Sequence, residues 1–205
     1  MRLLLIRHGE SAGNAADRIQ GIREEPLTAT GRAQAAALAQ RLRQGYAIRA
    51  VYSSSLSRAQ ETAEIIAAAL GLPVIAEGRL QEYDCGLVTG LCFKEVQEQY
   101  PEIARRWAED SWQVPIPGEE GIEVFQKRIL AAMDDIVARH SQEDTVAVVA
   151  HGGVWSIYLA SLVGLDVNRR QPWMFGNASL SIVLPGDTRP RIALLNDTCH
   201  LDHIV

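Results

Sequence analysis

Two runs of apolar residues limit the choice of fold for this chain. They cover residues 3–6, which read LLLI, and Thr145–Ala150, which read TVAVVA. A strand with one face in water alternates apolar and polar residues, whereas a parallel strand covered by helices on both faces reads as an unbroken apolar run. We therefore expect both runs to be parallel strands in the middle of a sheet.

Helical patterns alternate with strand-like runs along the chain. The helical patterns lie at residues 28–45, 55–71, 121–140 and 153–164, and further strand-like runs lie at residues 50–52 and 74–76. Hydroxyl residues stand where the first two helices are expected to begin, Thr28 or Thr30 for one and Ser55 or Ser57 for the other. The alternation predicts an α/β fold, a three-layer sandwich whose mostly parallel central sheet has helices on both faces.

Two further segments complete the predicted organisation. Leu180–Leu184 and residues 191–195 read as strands joined by the turn PGDTRP, and we expect them at an edge of the sheet. Residues 77–118 do not fit the strand–helix alternation, because they place glycines, prolines and tryptophans between short helical patterns. We interpret residues 1–205 as one domain in which residues 77–118 form an insertion near the active edge of the sheet that shapes a substrate pocket.

Each of the two central strands is followed at once by a histidine and a glycine, in Arg7-His8-Gly9 and in His151-Gly152. Ligands of an open α/β sheet bind outside the carboxyl ends of the strands, so we expect these two segments in one crevice. Glycine lets the backbone approach a ligand closely, and a helix that starts there aims its N–H groups at the same place. The guanidinium of Arg7 suits phosphate oxygens. Together these features predict a site for an anion.

The composition narrows the partners and the compartment. A formal net charge of -5 at pH 7 argues against nucleic acid or an anionic membrane as the main partner. No apolar run is long enough to span a membrane, and the first residues lack a secretory signal pattern. Three cysteines without C-x-x-C spacing are expected to be reduced thiols. We therefore expect a cytoplasmic protein.

Four blocks of sequence around these strand ends resemble the signature of the histidine phosphatase superfamily, also called the phosphoglycerate mutase-like family. The first block is RHGESAGNAADRIQGIREEPLTATGRAQA, which contains His8. The second, SSSLSRAQETAEII, contains Arg58; the third, LQEYDCGLVTG, contains Glu82; and the fourth, VAHGG, contains His151. The blocks occur in order along nearly the whole chain. The combination is therefore far more specific than any single motif.

The resemblance implies a catalytic role for five side chains. His8 is the nucleophile that becomes phosphohistidine, which requires one ring nitrogen to be unprotonated and to face phosphorus. Arg7 and Arg58 disfavour the imidazolium form and hold the phosphoryl oxygens. His151 is a further donor to those oxygens. Glu82 gives a proton to the leaving alkoxide and later takes one from water.

The resemblance also implies a wider set of residues that bind phosphate or substrate. The set consists of Arg7, Gly9, Asn14, Gln20, Gly21, Arg58, Glu82, His151 and Gly152. Asn14 and Gly21 could instead serve only to form a turn, as Asn and Gly often do. Asp84 is a second candidate for the proton donor, but it does not match the motif position that Glu82 occupies. No metal and no cofactor is expected, because the arginines already supply positive charge. The expected partner is a small phosphorylated metabolite, and the oligomeric state stays open, with a homodimer among the possibilities.

The superfamily contains phosphatases and phosphoglycerate mutases, and two departures favour a phosphatase. The chain is too short for the full mutase insertion, and Tyr83 and Cys85 stand where mutases carry Arg and Tyr. One departure argues the other way, because many phosphatases have Trp-Glu where this chain has VT at 88–89. Together with GEE at 118–120 in place of Gly-Glu-Ser, it indicates an unusual substrate pocket. We predict a phosphomonoesterase of the histidine acid phosphatase type that acts through phosphohistidine on His8. The alternatives are a cofactor-dependent phosphoglycerate mutase and a non-catalytic module that binds phosphate or protein.

Overall fold

The computed structural model describes residues 1–108, 115–169, 171–186 and 189–204. Within these residues the strands are β1 (Arg2–Arg7), β2 (Ile48–Ser53), β3 (Val74–Ala76), β4 (Thr145–Ala150), β5 (Leu180–Leu184) and β6 (Arg191–Asp197). The α-helices are α1 (Ala12–Ala15), α2 (Ala29–Gly45), α3 (Ser57–Leu70), α4 (Phe93–Gln99), α5 (Pro101–Ala108), α6 (Ile122–Ala138) and α7 (Gly152–Val163). Short 3-10 helices cover Gly78–Leu80, Gly86–Val88 and Cys199–Leu201.

The strands form one sheet with the order β3-β2-β4-β1-β5-β6. Neighbours from β3 to β1 run parallel, while β5 is antiparallel to both β1 and β6. The predicted α/β fold with a mostly parallel sheet is confirmed, and so is the position of the last strand at an edge. The predicted turn between β5 and β6 lies partly outside the described residues, at positions 187 and 188.

Helices cover both faces of the sheet, which explains why β1 and β4 read as unbroken apolar runs. On one face the core is completed by α6 and α7, with Trp155 fully buried and its indole N–H donating to the carbonyl of Ile6 over 2.9 Å. On the other face α2 and α3 supply leucine, isoleucine and many alanines to a second core. Every residue of β4 is buried, as expected for a strand between two layers of helices.

The helix starts show where local sequence signals succeed and fail. Thr28 caps α2, since its hydroxyl accepts the N–H of Gly31. The expected caps Ser55 and Ser57 are wrong, because α3 has Leu56 at its N-cap without a side-chain hydrogen bond. The N–H of Ser57 donates instead to the Glu24 carboxylate over 2.8 Å. A side chain from a distant segment thus satisfies a backbone donor that a hydroxyl cap would otherwise serve.

Within the predicted insertion at residues 77–118, the described part after Tyr83 forms a small unit, whereas Leu80 packs in the core that α6 and α7 complete. The unit has its own apolar cluster, which centres on Val88, Val96, Ala104 and Ile116. It is attached to Ile19 through backbone bonds, because the N–H of Ile19 donates to Leu91 and its carbonyl accepts from Gly90. In the described part of the chain, no helix combines the length and apolar character needed to cross a membrane.

Candidate active site

The register between β1 and β4 brings two histidines together at the carboxyl end of the sheet. Arg7 and Ala150, which end the two strands, lie opposite each other, so His8 and His151 follow at the same level. The N–H of His8 donates to the carbonyl of Ala150 over 3.0 Å. The two imidazole ring centroids are 5.2 Å apart. Two segments far apart in sequence therefore meet at one point.

The hydrogen bonds of His8 determine which ring nitrogen carries the proton. Nδ1 lies 2.7 Å from the carbonyl oxygen of Gly9, and because a carbonyl only accepts, Nδ1 is the protonated nitrogen. Nε2 therefore has a free lone pair, which accepts the Nε–H of Arg58 at 3.2 Å. Burial, followed by the positive charges of Arg7 and Arg58, holds the pKa of His8 well below its ordinary value. The ring is thus neutral and has the lone pair that a nucleophile requires.

Arg58 is a buried guanidinium that is held from two sides. It occupies the first turn of α3 and is only 1% exposed. Its Nη1 donates to the carbonyl of Arg23 and its Nη2 to the carbonyl of Gly21, both over 2.8 Å. Burial lowers the pKa of Arg58, although an arginine stays charged in proteins. These bonds turn its Nε edge toward His8.

Arg7 and His151 complete the cluster of cationic and imidazole side chains. Arg7 donates through Nη1 to the carbonyl of Phe175, and His151 Nε2 lies 2.8 Å from the hydroxyl of Ser54. Burial, followed by the charge of Arg58, holds the pKa of His151 well below its ordinary value. Within the described residues, Arg7 Nε and His151 Nδ1 are buried without a hydrogen-bond partner, a state that costs about 1–3 kcal/mol per group.

Glu82 faces this cluster from the segment after the 3-10 helix Gly78–Leu80. Its Oε2 accepts the N–H of Gly153, in the first turn of α7, over 3.0 Å, and its Oε1 accepts the N–H of Tyr83 over 2.9 Å. A carboxylate is stabilised at a helix N-terminus. Any Cβ at position 153 would collide with the carboxylate, so this approach requires glycine. Asp84 instead accepts the N–H of Gly86 and serves the turn.

A cavity of about 290 Å³ joins these groups. Its polar end is lined by the predicted site residues Arg7, His8, Asn14, Gln20, Gly21, Arg58 and Glu82. Its apolar wall consists of Ile19, Tyr83, Cys85, Phe125, Ile157 and Val167, and its remaining lining residues are Arg18, Gly153, Ser156, Arg169 and Gln171. The cavity therefore offers cationic and polar groups to an anion and apolar side chains to the rest of a ligand.

Three predicted binding residues lie outside the cavity wall. His151 is fully buried beside His8, and Gly152 lies against the Arg7 side chain. The backbone of Gly9 is already engaged, because its N–H donates to the hydroxyl of Thr62 over 3.0 Å and its carbonyl accepts from His8. Gly9 and Gly152 thus support the neighbouring side chains of the site.

The structure adds three polar residues that sequence reasoning missed. Ser54 follows the end of β2, so the strand-end rule that singled out His8 could also have found it. Thr62 lies four residues after Arg58 on α3, which places both on one helix face, and its hydroxyl donates to the Arg58 carbonyl. Asn177 donates to Asn14 Oδ1 over 3.0 Å, and no local signal in the sequence indicates that contact.

The positive charge of the site comes from protein side chains. Arg7 and Arg58 both line the cavity, and Glu82 is the acidic side chain nearest to them on its wall. Across the described ranges, no group of three or more His, Cys, Asp or Glu side chains is arranged to hold a metal ion. The described site brings together the neutral imidazole of His8, the guanidiniums of Arg7 and Arg58 and the carboxyl group of Glu82, and the guanidiniums of Arg18 and Arg169 also line the cavity.

Comparison with known proteins gives consistent matches along the chain. The sequence profile of the histidine phosphatase superfamily, branch 1, matches residues 3–198. Phosphoserine phosphatase 1 of Hydrogenobacter thermophilus is 37% identical over 203 residues, covering 98% of this chain and 94% of the relative. The metal-independent phosphoserine phosphatase of Arabidopsis thaliana is 36% identical over 205 residues, covering 98% and 84%. The native structure of mycobacterial glucosyl-3-phosphoglycerate phosphatase superposes with a TM-score of 0.84 at 29% identity, covering 95% of this chain and 98% of the other.

Proposed function

The chain belongs to the histidine phosphatase superfamily, and from this premise we propose that it is a phosphomonoesterase that hydrolyses a small phosphorylated metabolite through a phosphohistidine on His8. One observation carries the proposal. The neutral His8 has its lone pair on Nε2, and it lines the same cavity as the guanidiniums of Arg7 and Arg58 and the carboxyl group of Glu82. The relatives whose names identify them as phosphatases support it.

In the first chemical step, the lone pair on His8 Nε2 forms a bond to phosphorus while the ester P–O bond breaks. Arg7 and Arg58 bind the non-bridging oxygens and keep phosphorus in line with the leaving oxygen. Arg58 exchanges its bond to Nε2 for one to a phosphoryl oxygen, which frees the lone pair as the substrate arrives. Glu82 gives its proton to the departing alkoxide oxygen, which is a poor leaving group without it.

In the second step, water attacks phosphorus and the P–N bond breaks, returning the electron pair to His8 Nε2. Glu82, now ionised, takes a proton from the attacking water, so one carboxyl group serves both halves of the cycle. The Gly9 carbonyl accepts from Nδ1–H throughout and holds the ring in one orientation. The product is inorganic phosphate, and the protein returns to its starting protonation state.

Two amide side chains add donors for the phosphoryl group. Asn14 Oδ1 accepts from the N–H of Ser11 and from Asn177, and Gln20 Oε1 accepts from the Ser11 hydroxyl. Because their oxygens are engaged, both side chains direct NH₂ groups at the cavity that they line. His151, beside His8, donates to a phosphoryl oxygen when the site is filled, and the Gly21 backbone closes the same end.

The alcohol part of the substrate lies against the apolar wall of the cavity, defined above by Ile19, Tyr83, Cys85, Phe125, Ile157 and Val167. Tyr83 and Cys85 come from the insertion at residues 77–118, and Ile19 is fastened to it by backbone bonds. The insertion therefore shapes the pocket for the alcohol. We expect the preferred esters to have an apolar portion next to the ester oxygen, which gains free energy from leaving water.

Hydrolysis is favoured over phosphoryl transfer between positions of one substrate. A mutase must retain its dephosphorylated product while it excludes water. The hydroxyl of Tyr83 donates to the Glu119 carboxylate over 2.8 Å. Burial raises the pKa of the Cys85 thiol to about 12. Both side chains are thus neutral where mutases of the family carry Arg and Tyr. Neither supplies a cation for a phosphoglycerate carboxylate.

Phosphorus NMR with 3-phosphoglycerate tests the assignment, with p-nitrophenyl phosphate as the parallel check for any phosphatase activity. We expect p-nitrophenyl phosphate to be hydrolysed, and any phosphoglycerate turned over to give inorganic phosphate, even with 2,3-bisphosphoglycerate present. A 2-phosphoglycerate signal that grows faster than free phosphate would make the chain a mutase. Binding of phosphate without turnover of p-nitrophenyl phosphate would make it a binding module.

Finer parts of the assignment stay proposals. Because the pKa of His8 lies well below its ordinary value, the imidazole stays neutral in mildly acidic solution. The nucleophile is then available under the conditions that a phosphatase of the histidine acid type requires. Cys85, Cys92 and Cys199 are free thiols, which fits a reducing cytoplasm. The homodimer stays a prediction.

A further inference from the structure

Arg128, on α6, holds the backbone that leads into Glu82. Its Nη1 donates to the carbonyl of Arg79 over 2.7 Å and to that of Gln81 over 2.6 Å. Its Nη2 donates to the carbonyl of Glu82 itself over 2.9 Å. One guanidinium thus reaches three carbonyls within four residues, in a segment that has no strand or α-helix to keep it in place.

Glu120 holds Arg128 and the far side of the same segment. Its carboxylate accepts Arg128 Nε–H over 2.9 Å and Nη2–H over 2.7 Å, a two-point ion pair whose side chains are 20% and 15% exposed. Its Oε1 also accepts the N–H of Asp84 over 2.9 Å. The pair is therefore bonded to the chain before Glu82, at Glu82 and after it.

These bonds use the whole donor capacity of the arginine. A guanidinium has five N–H groups, and here two bind Glu120 while three bind the backbone carbonyls of Arg79, Gln81 and Glu82. The guanidinium also lies 4.7 Å from the ring centroid of Phe125. Arg128 has no donor left for a substrate and is not part of the cavity wall. The hydrogen bonds of Arg128 therefore act on the segment that it holds, while its positive charge also contributes to the lowered pKa of His151, a contribution that Arg128→Lys keeps.

We propose that Arg128 and Glu120 are positioning residues that aim the Glu82 carboxyl group at the leaving oxygen. The proposal rests on the proposed role of Glu82 as proton donor. The carboxylate of Glu82 has its own bonds to the N–H groups of Gly153 and Tyr83, so its placement depends on where the backbone stands relative to α7. Arg128 and Glu120 set that backbone position.

Three variants separate positioning from simple loss of stability. Arg128→Met removes all five donors, and Arg128→Lys keeps a charge for Glu120 but cannot reach three carbonyls in one plane. Arg41→Met is the matched control, because Arg41 pairs with Asp197 at similar exposure, on the side of the molecule that holds β6. Thermal unfolding of all three verifies that each is folded at the assay temperature.

The readout is kcat/KM for two esters, a simple alkyl phosphate and p-nitrophenyl phosphate. This ratio reports the step that breaks the ester bond and excludes the later hydrolysis of phosphohistidine. Arg128→Met should lower kcat/KM for the alkyl ester by about 10²-fold, the loss that a misplacement of about 1 Å causes. The aryl ester should lose much less, because p-nitrophenolate leaves without a proton. Arg128→Lys should also lose more kcat/KM with the alkyl ester than with the aryl ester, but the loss should be smaller. Arg41→Met should lose kcat/KM with neither ester.

A double variant decides whether Arg128 acts through Glu82. Once Glu82→Gln has removed the proton donor, adding Arg128→Met should cause little further loss with the alkyl ester. Equal losses with both esters, or the same loss with and without Glu82, would overturn the proposal and leave Arg128 a structural residue. If Glu82→Gln itself shows no dependence on the leaving group, the assigned role of Glu82 fails, and the positioning proposal falls with it.

Hydrogen exchange tests the geometry even if neither ester is a substrate of the chain. The amides of Tyr83 and Gly153 donate to the Glu82 carboxylate. Both should exchange faster in Arg128→Met than in the parent, relative to core amides of β4, and Arg41→Met should leave them unchanged. Unaltered exchange at both amides in a folded Arg128→Met protein would show that the arginine does not hold Glu82, whatever reaction the site performs.

Discussion

Arg58 donates its Nε–H to Nε2 of His8 across 3.2 Å, so the group proposed to bind the phosphoryl oxygens also holds the lone pair proposed to attack them. One N–H of each terminal nitrogen of Arg58 donates to a backbone carbonyl, that of Nη1 to Arg23 and that of Nη2 to Gly21. This relationship connects the charge state of the histidine, the orientation of the arginine and the first step of the reaction.

Arg58→Lys should lower kcat/KM for p-nitrophenyl phosphate by about 10²-fold or more, the usual cost of losing one donor to the transition state. A lysine ammonium is a point charge and cannot hold two backbone carbonyls while it faces phosphorus. Arg32→Lys is the control, since Arg32 forms a half-exposed ion pair with Glu61 outside the cavity. Parent-like activity in Arg58→Lys would show that the planar fork is not needed.

Glu82→Gln should slow alkyl phosphates far more than p-nitrophenyl phosphate. The amide cannot protonate a departing alkoxide, and general acid catalysis contributes about 10²–10⁴-fold, so kcat/KM for the alkyl ester should fall by about that factor. Asp84→Asn should have a much smaller effect, because Asp84 serves the turn at Gly86. Equal losses with both esters in Glu82→Gln would assign Glu82 to substrate binding alone.

Chelation should leave turnover unchanged, because the scheme draws its positive charge from the guanidiniums of Arg7 and Arg58. Vanadate should inhibit, since it can take five oxygen ligands and imitate phosphorus in transfer, and such mimics bind tightly. Both effects can be measured with p-nitrophenyl phosphate. Activity that is lost with EDTA and regained with Mg²⁺ would contradict a scheme based on side chains alone.

The two buried histidines should make stability depend on pH. His8 and His151 have lowered pKa values in the folded protein, whereas histidines of the unfolded chain bind protons below a pH of about 6.5. The free energy of unfolding should therefore be fully present above that pH and fall below it, by up to about 1.4 kcal/mol per pH unit for each histidine. Urea unfolding at several pH values measures the slope.

Replacing one histidine isolates this contribution. His8→Gln should reduce the slope of unfolding free energy against pH below about 6.5, since one group no longer takes up a proton on unfolding. His151→Gln should do the same, and the two reductions should be similar in size. An unchanged slope in both variants would mean that neither ring is held neutral by the fold.

The sequence predicted the fold and the meeting of two strand ends because both depend on patterns that are local, whereas the roles of Arg58 and Glu82 were inferred from the family resemblance. Unbroken apolar runs mark β1 and β4 as central strands, and residues that follow such strands must meet at one edge. That reasoning placed His8 beside His151 before any contact was known. Thr28, which caps α2, is local in the same sense, because its hydroxyl serves an N–H three residues away.

The sequence did not reveal contacts between segments that are distant along the chain. Glu24 replaces the expected serine cap of α3, and Asn177 orients Asn14 from the other end of the molecule. The Arg128–Glu120 pair was also invisible, because three of the bonds that Arg128 makes go to backbone carbonyls, which carry no sequence signal. Such contacts follow from the packed arrangement of segments rather than from residue order.

Trapping the phosphoenzyme tests the central claim most directly. The parent protein, mixed with a labelled phosphate ester and quenched within a turnover, should carry an acid-labile, base-stable phosphoryl group that mass spectrometry locates on His8. His8→Ala should carry none and should not turn over the ester, while its circular dichroism matches that of the parent. Label on any other residue, or full turnover in His8→Ala, would contradict the account.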